Sequence, residues 1–186
     1  MFNYNGGGSY DFTVDDGAAI RAITSEGAFV ESVNSFTFEP VMVFFPSDGS
    51  GAETMAFDTV VNAYTNRIFY PLNGRLLFVG DSPDRGREWV VADPATQSVS
   101  MLKDINPGRG FGTISTRGLL STSTGLFFSG NDGTNGNELW YTDGTEAGTV
   151  MLPEINPGPG SSNPGNLTLI DSTVFFSANG PSGYEL

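Results

Sequence analysis

The side chains of this chain that could do chemistry are almost all carboxylates. Its 186 residues include no cysteine and no histidine, and 21 Asp and Glu stand against 8 Lys and Arg. Disulfides, thiolate or imidazole metal sites, cysteine nucleophiles and histidine-based triads are therefore excluded. The acids that stand out recur along the chain, Glu88 and Asp93 being matched by Glu138 and Asp143. Carboxylates placed with backbone carbonyls on a turn suit a hard cation. Asp132, Glu138 and Asp143 are thus the candidate metal ligands, and calcium is the one cofactor they leave open. The loop Asp132-Gly133-Thr134-Asn135-Gly136-Asn137 lacks the alternating acids and the closing Glu of an EF-hand. A structural use competes with the metal. Asp143 can accept N–H bonds within its own turn, with Gly144 supplying a positive φ, and Glu138 can tie adjacent strands or sheets.

Trp140 and Tyr141, with Trp89, are the candidate ligand-binding aromatics. They could stack on sugar rings, or pack one sheet against the next. Paired carboxylates could hydrolyse glycosides. Nothing selects a pair, however, and repetition argues for structure where catalysis needs one asymmetric site, so no enzymatic activity is expected. Asp84-Arg85-Gly86-Arg87 and Gly108-Arg109-Gly110 do not lead from a strand into a helix, which argues against a phosphate cradle. Asn166-Leu167-Thr168 is a formal glycosylation sequon, but occupancy is not expected at a strand start.

The formal net charge of −13 repels nucleic acid and anionic lipid. No stretch approaches the roughly 18 consecutive apolar residues of a membrane span. Neither nucleic-acid binding nor membrane insertion is therefore expected. Residues Met1 to Gly6 lack the basic region and apolar run of a secretory signal, so the chain is either not exported, or a mature form or fragment.

These residues must be positioned by repeated elements. Met101-Leu102-Lys103-Asp104-Ile105-Asn106-Pro107-Gly108 returns as Met151-Leu152-Pro153-Glu154-Ile155-Asn156-Pro157-Gly158, the signature of a repeat architecture. Leu76-Leu77-Phe78 aligns with Leu126-Phe127-Phe128 and with Val174-Phe175-Phe176, and Glu88 with Glu138 and Glu185. Apolar runs of four to seven residues separated by turn chemistry predict strands. In the clearest copy these are 125–130, 138–142, 149–155 and 167–170. Asn156, Pro157 and Gly158 stop the third, since proline cannot donate to a ladder, and Asp143 with Gly144 closes the second. Adjacent phenylalanines point to opposite faces of a strand, so the sheets must be covered on both sides.

The expected fold is all-β: a β-propeller-like array of about four blades, each of four antiparallel strands. The predicted units are 1–24 (second half of a unit), 25–65 (degenerate blade), 66–115, 116–165 and 166–186 (first half of a unit). In the degenerate unit Val41–Phe45 takes the aromatic strand and Glu53 to Asp58 the next. In the first unit, residues 10–17 resemble the second strand and its turn, and 18–23 the third. The last blade would then be completed by the N-terminal strands or by a neighbouring chain.

The segment Gly136-Asn137-Glu138-Leu139-Trp140-Tyr141-Thr142-Asp143-Gly144-Thr145-Glu146-Ala147-Gly148-Thr149 resembles the signature of bacterial ELWxxDGT-repeat (hyalin-type repeat) proteins. The resemblance is specific in 125–186, clear but degraded in 75–124 and faint before that. It implies a propeller-like fold and an exported or cell-surface protein. In the second copy Arg87-Glu88-Trp89-Val90 shifts the Trp by one place, which turns its indole to the other face of the strand. The function expected is that of a non-enzymatic extracellular structural or adhesive module. Its partners would be copies of itself, or other surface proteins and glycans. The alternative is a carbohydrate- or calcium-dependent binding module that uses the loops.

Overall fold

The structure is a computed structural model that describes residues 2–4, 10–12, 19–33, 40–57 and 63–186. All regular elements among them are strands, seventeen in number, which is what β-branched and aromatic runs cut by Gly, Pro and Asn turns dictate. β1 (Phe2–Tyr4) and β2 (Tyr10–Phe12) form a hairpin of their own. The first large sheet comprises β3 (Ala19–Ile23), β4 (Gly27–Val33), β5 (Pro40–Pro46) and β6 (Glu53–Phe57). The second comprises β7 (Ala63–Leu72), β8 (Arg75–Ser82), β9 (Gly86–Asp93) and β10 (Ser98–Met101). The third comprises β11 (Thr113–Ser121), β12 (Leu126–Asn131), β13 (Asn137–Thr142) and β14 (Val150–Met151). β15 (Gly165–Ile170), β16 (Thr173–Gly180) and β17 (Gly183–Glu185) make a fourth.

Neighbours within each sheet are antiparallel. A parallel pairing of β10 with β6, through Ser98 with Ala56 and Val99 with Phe57, joins the first two sheets edge to edge. Among the described residues the sheets do not close into a barrel.

Each strand face has a fixed use. Leu76, Phe78, Val90 and Ala92 on one face of the second sheet pack with Phe29, Met42, Phe44 and Met55 of the first. Leu77, Val79, Trp89 and Val91 on its other face pack with Leu126, Phe128 and Trp140 of the third. The second sheet thus turns one face back to the first sheet and the other forward to the third. At roughly 25 cal/mol per Å² of apolar surface removed from water, these two interfaces supply the main stabilising term.

Three expectations of pairing change. Residues 167–170 do not complete the sheet of β12 and β13; β15 pairs with β16, and the remaining place, beside β12, falls to β11. Val41 to Phe45 lies on β5, equivalent to β9 and β13, so Glu53 starts the strand after it, β6, and not the acid-bearing one. β3 is the hairpin partner of β4, and no pairing joins β1, β2 or β3 to β15, β16 or β17 among the described residues. Completion of the last sheet by the N-terminal strands is therefore not what the chain does here. The Asp15-Asp16-Gly17 turn and Asp58 lie outside the described residues.

Turn chemistry explains the true register. Thr24 and Gly27 exchange backbone and hydroxyl hydrogen bonds at 2.8–3.2 Å, and Thr122 with Gly125 repeats them at 2.8–3.1 Å. The hairpin Asn73-Gly74, with φ of 49° and 76°, and the turn at Asp171, with φ of 56°, take the same place between β7 and β8 and between β15 and β16. Thr24, Asn73, Thr122 and Asp171 are equally spaced along the sequence, and they phase the units.

Candidate functional site

The recurring acids are fasteners between sheets. Glu138 opens β13 opposite Gly130, where a glycine leaves room for the neighbouring indole; a Cβ there would lie 2.8 Å from Trp140 Cδ1. Its carboxylate is wholly buried. It accepts the Ile155 N–H at 2.9 Å, the Ser162 N–H at 3.1 Å and the Ser162 hydroxyl at 2.9 Å. The Ile155-to-Ser162 loop that carries the second Asn-Pro-Gly is thereby fixed to β13. Ser162 is a pivot: its N–H also reaches the Asn137 carbonyl at 2.9 Å, and its own carbonyl accepts Asn179 N–H of the next sheet at 2.8 Å.

Glu88 occupies the same place opposite Gly80 on β9, also wholly buried. Its Oε1 accepts the N–H groups of Asn106 and Gly112, each at 3.1 Å. Gly112 repeats the pivot, donating to the Arg87 carbonyl at 3.0 Å and accepting from Asn131 at 2.9 Å. Glycine has no hydroxyl to offer, and Glu88 Oε2 is left buried without a partner. Burial pushes the Glu88 carboxyl up to about 8, outweighing the neighbouring loop N–H groups, and the charge of Asp104 adds to the rise. Asp104 Oδ1 is likewise buried and unpartnered.

The other predicted site residues are placed apart from this pair. Asp132 accepts the Thr134 and Asn135 N–H groups and the Asn135 side-chain amide, all at 2.8 Å. Burial is the largest single influence and raises its carboxyl, but these donors together outweigh it and hold the group below the usual carboxylate range. Asp143 accepts the Thr145 hydroxyl at 2.7 Å and the Thr145 N–H at 2.9 Å. The hydroxyl bond is the first cause of its own lowered pKa. Gly144 has φ of 89°, as its turn requires. Beneath that turn the Thr142 and Thr149 hydroxyls bond each other at 2.7 Å in the interior. Donors, not cation-sized gaps, surround these carboxylates, and no three Asp or Glu converge to hold a metal among the described residues.

Trp140 is buried and stacks on Phe128, with ring centroids 6.3 Å apart; no face of the indole is open to a sugar. Tyr141 packs on Phe127 at 5.0 Å and donates its hydroxyl to the Thr124 carbonyl, in the turn between β11 and β12, at 2.9 Å. Trp89 and Trp140 share one interface, because the one-residue shift puts Trp89 on the forward face and Trp140 on the backward face of successive sheets. In the loop, Gly158 has φ of 95° and its N–H bonds Glu154 at 2.8 Å, while Pro157 is exposed. Asn156 folds back over Gly160, within 2.6 Å of where a Cβ there would stand.

Residues 112 and 162 were missed by sequence reasoning. The signal was their equivalence in the two copies together with the change from Gly to Ser, which reads as a tolerated loop difference until the buried carboxylate beside it is seen. Further ties cross the same junction: Lys103 Nζ donates to the Thr149 carbonyl at 2.7 Å, and Asn73 Nδ2 to the Asp143 carbonyl at 3.2 Å. The arrangement can clamp one sheet to the next. Searches against protein-family profiles, curated proteins and solved structures find no match to this chain.

Proposed function

We propose that this chain is a non-enzymatic structural or adhesive repeat module of the ELWxxDGT type, acting outside the cell. Its stacked sheets would be successive blades of a propeller-like array, and the module works by presenting loops and by assembling with its own copies. One observation carries this: the two sheet-on-sheet interfaces use equivalent faces in the same order, and the recurring acids are spent on fastening loops across them. A chain whose reactive groups are consumed by its own repeat has surfaces left to work with. The ELWxxDGT resemblance of 136–149 supports the surface location.

Electron microscopy and small-angle scattering of purified protein over a range of concentrations test this reading. Regular fibres or discrete multimers of flat-layered particles are expected. Monomers at every concentration that bind a glycan array, or whose melting temperature rises with millimolar calcium, would replace it with the binding-module reading.

A further inference from the structure

The two glycine–arginine segments, 84–87 and 108–110, meet at the junction of the second and third sheets. Gly86 has φ of 70°, and a Cβ there would collide with the Gly110 carbonyl. Arg87 and Phe111 form a parallel bridge, so the segments lie backbone on backbone. Around this contact stand three of the chain's eight basic residues, Arg85, Arg87 and Arg109, and the ring of Phe111, which is 54 % exposed. The Arg87 guanidinium lies over that ring, 5.0 Å from its centroid. Arg87 Nε is 3.1 Å from Asp81, and Arg85 Nε is 4.0 Å from Asp104. The Nη groups of Arg87 and the whole guanidinium of the exposed Arg109 meet no acceptor among the described residues.

The third sheet repeats this framework without the charges. Gly136 has φ of 72° and faces the Gly160 carbonyl as Gly86 faces that of Gly110. Yet Asn135, Asn137, Pro159 and Ser161 stand where the second sheet has Arg85, Arg87, Arg109 and Phe111. One backbone thus carries two sets of side chains, and the fold does not demand the cationic, aromatic set. Both sheets of the junction belong to the chain, so the exposure of the patch is not set by where the stack begins or ends.

We propose that Arg85, Arg87, Arg109 and Phe111 form a docking surface for glycans that carry a carboxylated sugar, the carboxylate held by guanidinium donors and the pyranose ring stacked on Phe111. Charge complementarity selects the acid: a guanidinium presents a planar fork of donors that fits a carboxylate. The ring selects the sugar, since an inorganic anion would leave Phe111 uncovered and a neutral sugar would leave the arginines unused. Asp81, Asp84 and Asp104 stand among the arginines, and the chain as a whole carries −13. A dense polyanion is therefore repelled, and the ligand that fits carries sparse charge, one carboxylate beside neutral sugars. The proposal rests on the loop-presenting part of the adhesive reading above and not on self-assembly.

Titration calorimetry and saturation-transfer NMR with 3′-sialyllactose and cellobiouronic acid test it, with lactose and cellobiose as the neutral controls. At least one acidic sugar should bind, and its neutral counterpart about tenfold more weakly or not at all, as charge-assisted hydrogen bonds imply. A grafted variant, Arg85→Asn, Arg87→Asn, Arg109→Pro and Phe111→Ser, carries the residues that the third sheet already holds on the same framework, and circular dichroism checks its fold. It should lose the binding. Phe111→Ala alone should weaken it roughly fivefold and remove the saturation transfer to the protons of the sugar ring.

No binding of either acidic sugar at millimolar concentration would overturn the proposal, as would binding that the folded grafted variant retains. Equal binding of the neutral sugars would overturn the role of the arginines. A hexaglutamate peptide that binds as tightly as the sugars, and is unaffected by Phe111→Ala, would overturn the glycan in favour of an acidic protein segment. Sedimentation velocity without sugar reads self-assembly separately in wild type and the grafted variant. Lost or absent sugar binding with assembly intact counts against this surface alone, and sugar binding by a monomeric wild type leaves the surface standing while self-assembly falls.

Discussion

The second and third sheets are two castings of one design, and they differ where Gly112 replaces Ser162. In the later copy the pivot residue gives the buried glutamate a hydroxyl as well as an N–H. In the earlier copy the same carboxylate keeps only N–H donors on one oxygen and an orphan on the other. Hydrogen bonds to a charged group contribute about 1.5–3 kcal/mol each, and a buried acceptor left unmade costs a similar amount. One β-hydroxyl therefore separates a carboxylate with donors on both oxygens from one with an orphan oxygen, which is better served by a proton.

The largest way to break the comparison is Glu138→Gln against Glu88→Gln. At Glu138 the amide nitrogen would meet a donor whichever way it flips, so thermal or denaturant unfolding should show a loss of roughly 2–4 kcal/mol. At Glu88 the amide keeps one acceptor for Asn106 and Gly112 and puts a donor where an orphan oxygen stands, so stability at neutral pH should hold or rise. Equal losses at the two positions would end the distinction.

The pH dependence follows from the same contrast. The Glu88 carboxyl, at about 8 in the folded chain, lies above its ordinary unfolded value, so the native state holds the extra proton between the two. Its contribution to stability is complete below about pH 4.5, falls as pH rises, and is gone above about pH 8. Denaturant titrations of wild type and Glu88→Gln across that window should show the wild type losing stability and the variant much less; parallel curves would refute the assignment. Removing the hydroxyl with Ser162→Ala should cost about 1.5–3 kcal/mol.

A smaller effect tests the phasing turns. Thr122→Ala should cost about 1 kcal/mol, and Thr24→Ala a similar amount, because each hydroxyl bridges its hairpin to a glycine and a net hydrogen bond contributes about that much. A twofold disparity would show that the first sheet is not built as the third is.

The strands, their repeat and the opposed faces of the two tryptophans were legible because period-two alternation and a one-residue offset are properties of the chain alone. The N-terminal register was not. Aromatic pairs recur on β5 as well as on β12 and β16, so Val41 to Phe45 imitated the wrong strand; the spacing of Thr24, Asn73, Thr122 and Asp171 was the truer guide, but it is written in unlike residues. The glutamates were visible as recurrent acids, whereas their burial, and the power of residue 112 or 162 over them, arise only once a loop some twenty residues away folds back over the strand.

The two-rung parallel pairing of β6 with β10 bears on how the molecule gives way under load. It threads the first two sheets onto a shared ladder, while the last sheet is tied to its neighbour by side chains and a few loop bonds. Under tension between its ends, the chain should shed the last sheet first as a sacrificial element. The first two should then yield together, in a single larger step on a force–extension trace.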